Sequence, residues 1–125
     1  MKDLYHDISL AQSVKPAAYT ASVDGGGVDL AGYEGATVLV VPGTKTDGTH
    51  TPKLQESDDD NTYTDVAAGD LLGSFSVVAS ETPQVVGYIG IKKYIRVVVT
   101  VSGATTGAIY GAYILKGYPR HAPVR

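Results

Sequence analysis

The chain has 125 residues, a formal net charge of −3, nine tyrosines against one phenylalanine and no tryptophan, fifteen glycines and no cysteine. That length makes one domain with a core of its own, and the missing cysteine excludes disulfides and thiolate metal sites. No apolar run approaches the roughly 20 residues that a membrane-crossing helix needs, so no membrane partner is expected.

Met1–Leu10 carries Asp3, His6 and Asp7 among its apolar residues, unlike the basic start and unbroken apolar stretch of a signal peptide. Residues 1–16 read as an N-terminal arm, extended or with one short helical turn, ended by Pro16. Ala17–Val23 alternates and predicts a first strand. Asp24–Gly27 is a flexible turn before a short strand at Val28–Leu30. Thr37–Val41 (TVLVV) is a β-branched apolar run, predicted at the centre of a sheet and stopped by Pro42-Gly43. Thr44–Thr51 is a polar loop, and Lys53–Ser57 alternates as an edge-like strand. Asp58–Asn61 is a turn leading into a strand at Thr62–Val66. A helical turn fits within Asp65–Gly73, and further strands are expected at Phe75–Val78 and Gln84–Ile89.

Lys92–Val101 and Ala108–Lys116 are the strongest strand signals, joined by the small-residue turn SGATTG. They are expected to pair as one long antiparallel hairpin that the other strands cover. Gly117–Pro123 holds two prolines, which argues against a central strand and predicts a C-terminal tail over 118–125. About eight short strands, with turns about every 8–12 residues and no helical repeat, predict an all-β fold: an antiparallel β-sandwich of jelly-roll type over residues 17–117.

Charge is unevenly spread. Residues 1–81 hold all thirteen acids and four lysines, a balance of −9; residues 82–125 hold six bases and no acid, +6. Either acidic and basic strands alternate in space, or the surface is bipolar and docks on copies of itself or a large partner. The bases are few and lack an aromatic-basic motif, so nucleic acid is not an expected partner.

Two motif sets carry resemblances. Leu54–Asp59, Tyr63–Val66, Lys93-Tyr94-Ile95-Arg96-Val97 and the closing Gly117 resemble the strand and turn order of discoidin-like jelly-roll modules. Asp59 stands where that family prefers glycine, and Lys93 where it prefers arginine. VDLAGYE leading into TVLVV, then TDGTHTPKLQESDD, DVAAGDLLG, VGYIGIKKYIRVVVTVSGATTG and GYPRHAP together resemble small structural proteins of tailed bacteriophages. That second resemblance implies a head-associated protein of decoration or minor capsid type, on the capsid exterior, with the major capsid protein and further copies of itself as partners. A trimer is the expected assembly, and the resemblance supplies no catalytic residues.

The residues themselves offer few sites. Asp58, Asp59 and Asp60 are weak candidates for Ca²⁺, set against a solvated turn in which one carboxylate caps the backbone. His6, His50 and His121 lie far apart, with nothing in their spacing that requires a metal. No Gly-x-Ser-x-Gly elbow or phosphate-binding loop is present, so no enzyme and no cofactor is expected. On one strand parity Ile95, Val97, Val99 and Val101 face inward, while Tyr94, Arg96, Val98 and Thr100 face outward. Val98 misfits a solvent face, which a covering partner would explain. Tyr94, Arg96, Val98, Tyr118, Arg120 and Arg125 are the candidate partner contacts. The reading is a capsid decoration (cement) protein; the alternatives are a head-fibre base or head–tail joining protein, and a carbohydrate-binding adhesion module with exposed tyrosines.

Overall fold

The computed structural model describes residues 3–120. Ten strands form two antiparallel sheets. They are β1 Ser9–Tyr19, β2 Val23–Asp24, β3 Val28–Asp29, β4 Tyr33–Lys45, β5 Thr49–Ser57, β6 Thr64–Asp65, β7 Leu71–Leu72, β8 Gln84–Tyr88, β9 Tyr94–Ser102 and β10 Ala108–Pro119. Sheet A has the order β1-β10-β4-β8-β7; sheet B has β2-β9-β5-β6, with β3 also on β9. Counting β2 and β3 as one interrupted strand and β7 as an addition leaves eight positions. They pair first with last (β1·β10), second with seventh (β2 and β3 with β9), third with sixth (β4·β8) and fourth with fifth (β5·β6). That is a long hairpin rolled into a sandwich, the jelly-roll arrangement.

The rolling overturns the expected β9–β10 hairpin. The two strands lie in different sheets and face each other across the core. Ile95, Val97 and Val99 of β9 meet Tyr110, Ala112 and Ile114 of β10 among the buried residues, with Val38, Val40 and Leu54 beside them. Both strands are apolar on their inner faces, and stacking the two faces buries both, where in-plane pairing would leave them side by side. β4, with its TVLVV run, is the central strand of sheet A as expected.

Proline positions account for most boundary differences. Pro16 does not end an arm: Ser9–Pro16 belongs to β1, which is an edge strand with irregular register between Val14 and Ala17. A missing N–H is tolerated at an edge or a bulge. Pro42 does not stop β4, whose register with β10 shifts beside it, between Ala108 and Tyr110. Tyr118 and Pro119 extend β10 rather than start the tail, with Pro119 opposite Tyr33 at the strand's last position. His121–Arg125, the rest of that tail, lies outside the described residues.

Phe75–Val78 is not a strand. The Gln84 side chain takes the backbone of Ser76 at both N–H and C=O, each at 2.9 Å, so no ladder forms there. Val78 is nonetheless buried, its N–H bonded to the carbonyl of His50 at 2.9 Å.

Ser13 ties edge strand β1 to the opposite sheet. Its hydroxyl donates to the Gly26 carbonyl and accepts from the Val97 N–H, both at 2.9 Å, while Gly26 N–H bonds the Ser13 carbonyl at 2.7 Å. A Cβ on Gly25 would come within 2.5 Å of the Ser13 hydroxyl and of the Val97 carbonyl, so this approach requires glycine. Ser13→Ala strands the buried Val97 N–H and removes the donor to the Gly26 carbonyl; urea unfolding is expected to show a loss of about 1–3 kcal/mol.

Candidate docking surfaces

The acidic turn between β5 and β6 spends its carboxylates on the protein. Asp59 Oδ1 accepts the N–H groups of Asn61 and Thr62, both at 3.0 Å, and the Ser57 hydroxyl at 2.9 Å. Those donors, Thr62 first, hold its pKa below the ordinary carboxylate value. Asp58 pairs with Lys92 at 2.8 Å, and Asp60, in the left-handed region at φ 59°, accepts the Tyr63 hydroxyl. Among the described residues no group of three or more His, Cys, Asp or Glu side chains is arranged to hold a metal ion.

The histidines do not gather. His6 is exposed beside Asp3, and His121 lies outside the described residues. His50 is fully buried. Its Nε2 lies 3.0 Å from the Asp47 carbonyl, which only accepts, so Nε2 carries the proton and Nδ1 accepts from the Tyr110 hydroxyl at 3.0 Å. Burial, and then the nearby Tyr19 phenol, push the Tyr110 pKa up to about 12, which keeps that donor protonated. Tyr19 stacks on the other side of the Tyr110 ring. His50 and Tyr110 are closed to solvent, with Tyr19 half-buried beside them, and the cluster is structural.

The chain's two charge halves meet in space. Lys92 pairs with Asp58, and Arg120 with Glu34 at 3.3 Å. The +6 half thus lies against carboxylates of the −9 half, so the bipolar surface is not realised at these bases.

The two outer sheet faces differ. On sheet B the outer positions run Thr51–Thr100, Asp24–Val98–Lys53 and Arg96–Gln55–Asp65 across the strands. Arg96 donates twice to Gln55 Oε1, at 3.0 and 2.7 Å, and its guanidinium lies 4.2 Å from the centre of the Tyr63 ring. The predicted parity holds, but Val98 is only 7% exposed, shielded within the chain in register between Asp24 and Lys53. No partner is needed to explain it, and it offers one no surface.

On sheet A, one outer row crosses all five strands as Leu10–Leu115–Thr37–Gly87–Leu72. The next reads Gln12–Tyr113–Leu39–Val85. Neither row contains a charged side chain. The intervening row, Ala11–Ile114–Val38–Val86, points into the sandwich. Sequence reading passed over this face, although Leu10, Leu39, Val85 and Leu115 occupy the non-core phase of their strands.

One end of the sandwich carries the two most exposed large apolar side chains among the described residues. Ile91, at the tip of the β8–β9 loop, is 95% exposed, and Tyr118 is 80% exposed. Tyr118 sits at φ 52°, a strained setting for a tyrosine, with its ring over Gly35. Between the β3–β4 turn and the β8–β9 loop lies a cleft lined by Tyr33, Glu34, Tyr88, Lys92, Lys93 and Arg120, among others. Tyr88 donates to Glu56 at 2.8 Å and accepts from the Lys92 N–H at 3.1 Å; burial and Glu56 raise its pKa. Lys116 Nζ lies 5.0 Å from the centre of the Tyr33 ring. Of the six candidate contacts, Arg120 lines this cleft and Tyr118 lies over Gly35; Tyr94, Arg96 and Val98 lie along β9 of sheet B, and Arg125 is outside the described residues.

No known protein family matches the sequence, and no curated protein matches it as a relative. Solved structures similar to it include the SPBc2 prophage-derived protein YomS, at 16% identity and TM-score 0.45, covering 88% of this chain and 95% of that one. A second is the structure of the infectious bursal disease virus Gx strain, at 12% identity and TM-score 0.46, covering 93% of this chain and 35% of that one. Both likenesses are distant, and the functional reading rests on the chain's own residues.

A second carboxylate, Asp47, accepts the N–H groups of Thr105, Thr106 and Gly107 at 3.1, 3.2 and 2.6 Å, which lowers its pKa, Gly107 contributing most. For Asp47 and Asp59 the folded pKa lies below the unfolded value near 3.8, so the unfolded chain takes up protons first. Their stabilisation is complete above that value and is lost as the pH falls through the folded pKa. The stability difference between the protein and Asp47→Asn or Asp59→Asn is expected to shrink from about pH 5 to about pH 2, followed by urea unfolding at each pH.

Proposed function

We propose that this protein is a non-enzymatic virion component of a tailed bacteriophage, a decoration (cement) protein that binds the outside of the head lattice. The observation that carries the reading is the exposed end of the sandwich. There a fully presented isoleucine lines a cleft in which Lys92 and Arg120 are paired with carboxylates, and a strained, exposed tyrosine stands at the same end over Gly35. Large exposed side chains on a rigid scaffold serve docking, because little conformational freedom is lost on contact. Tyr88, Glu56, Lys92 and Asp58 bind this end to the acidic turn through hydrogen bonds. Contacts repeated at each capsid subunit add up through symmetry, so weak individual contacts suffice to make the shell more resistant to disruption.

In this role Ile91 and Tyr118 seat against the major capsid protein, and Tyr94, Lys93 and Arg120 form the polar rim that sets register. The test is the copy number and position of the chain on intact particles by electron microscopy, with rebinding of purified protein to stripped heads. Copies spread over the lattice are expected. A few copies at one vertex overturn the cement role in favour of a joining protein or fibre base, and none at all overturns the virion reading. Ile91→Asp, at a side chain that touches little of its own fold, is expected to weaken rebinding about tenfold or more with Tm unchanged.

A further inference from the structure

The cleft between the β3–β4 turn and the β8–β9 loop is preformed, and it keeps donors that the chain itself does not use. Its walls are tied to each other. Leu30 N–H of the turn bonds the Lys93 carbonyl of the loop at 2.8 Å, and Arg120 N–H bonds the Gly32 carbonyl at 2.8 Å. Within the turn, Tyr33 N–H bonds the Leu30 carbonyl at 3.1 Å and Ala31 N–H bonds the Asp29 carboxylate at 2.8 Å. Three bases line the space, Lys92, Lys93 and Arg120, against one carboxylate, Glu34. Lys92 is committed to Asp58. Arg120 is only partly committed: its Nε approaches Glu34 Oε1 at 3.3 Å, and among the described residues its two terminal amino groups hold no acceptor. Lys93 Nζ lies 5.3 Å from the centre of the Tyr94 ring and pairs with no carboxylate among the described residues. The hydroxyl of Tyr33, on the other wall, makes no hydrogen bond among them either.

We propose that this cleft takes an acidic loop of the protein partner, one carboxylate lying side-on against the terminal amino groups of Arg120 and another against Lys93. The inference rests on the reading that this end docks on a protein, and adds the chemistry of the segment that docks. Charge complementarity selects it. A guanidinium sets two N–H groups at the spacing of two carboxylate oxygens. Glu34 sits at the Nε edge of Arg120 and so leaves the edge between the terminal amino groups open. The bases come from residues 82–125, a stretch without acids, and Lys93 adds a second point charge on the same side as Ile91. Ile91 then argues for a side chain rather than a bare oxyanion. It is 95% exposed in the cleft lining, and the aliphatic stem of a glutamate or an apolar neighbour would cover it, where free phosphate would leave it in water. The space is about 570 Å³, within the roughly 300–1,000 Å³ of sites that seat compact ligands, so it holds a few residues of a loop. Because the backbones of Lys93 and Arg120 are already fixed by the turn, the ordering cost falls mainly on the partner.

Titration of the isotope-labelled protein at low salt, followed by backbone amide shifts, tests it without phage heads. The probes are a capped hexapeptide of alternating alanine and glutamate, the same peptide with glutamine for glutamate, and inorganic phosphate. The glutamate peptide is expected to give saturable shifts at Gly32, Gly90, Ile91 and Lys93, and the other two probes at least about fivefold weaker binding there. Arg120→Gln and Lys93→Gln are each expected to raise the peptide's dissociation constant about threefold or more, and salt to weaken binding of the unsubstituted protein. Both side chains are exposed, so folding is not at stake; should a variant fail to fold, the comparison of the three probes on the unsubstituted protein decides. Equal binding of the glutamine peptide or of phosphate overturns the proposal. So do shifts that miss the cleft, the absence of saturable shifts, or variants that bind as well as the parent. The head reading fails separately. Stripped heads that take up a protein deaf to the glutamate peptide overturn this inference alone, and a chain absent from particles whose cleft binds the peptide overturns only the virion role.

Discussion

The chain must pass from sheet B to sheet A between β9 and β10, and the rest of the structure depends on how that crossing is held. Asp47, in the loop between β4 and β5, receives three successive N–H groups of the crossing loop on its carboxylate, while Thr46 N–H bonds the Gly107 carbonyl at 2.9 Å. One loop thereby fixes the other. An unclamped small-residue turn such as SGATTG favours the local hairpin; the clamp commits β10 to the opposite sheet. Once there, β10 lies between β1 and β4, and its inner residues form the floor of the core.

The same corner is tied inward through His50. Its Nε2 holds the Asp47 carbonyl and its Nδ1 the Tyr110 hydroxyl, so the clamp, the imidazole and the largest buried side chain share one network. On the open side of the sandwich Ser13 does the equivalent for β1, bonding to the Gly26 carbonyl and to the Val97 N–H of sheet B. Among the described residues every buried side-chain nitrogen or oxygen has a hydrogen-bond partner. A β-sandwich with few aromatic residues and no disulfide gains its uniqueness from such satisfied polar links as much as from apolar volume.

The interior is therefore closed, and the surface divides into three regions of different chemistry. Sheet B shows interlocked polar side chains, with Arg96 held between Gln55 and Tyr63. Sheet A shows two outer rows without a charged side chain. One end shows isolated anchors on a paired-ion frame.

Sequence alone determined the class of fold and much of its core. Strand-rich composition, regular turns and the absence of helical periodicity made an all-β jelly-roll sandwich the expectation, and the phase of Ile95, Val97 and Val99 was legible because side chains alternate strictly along a strand. The caps of the acidic turn were legible too, since aspartate at such turns bonds backbone locally. What sequence could not decide was pairing between distant segments. Hairpin and rolled crossing share one local pattern at Lys92–Gly117; the pairing of β10 with β1 and β4, and the bond from Thr105 to Asp47, 58 residues away along the chain, separate them. Proline read as a stop because its tolerance depends on whether a strand is an edge, as β1 is, or shifts register, as β4 and β10 do. The apolar face of sheet A was hidden for a related reason. Leu10, Leu39, Val85 and Leu115 become one surface only when four strands are set side by side, and register between strands is a tertiary property.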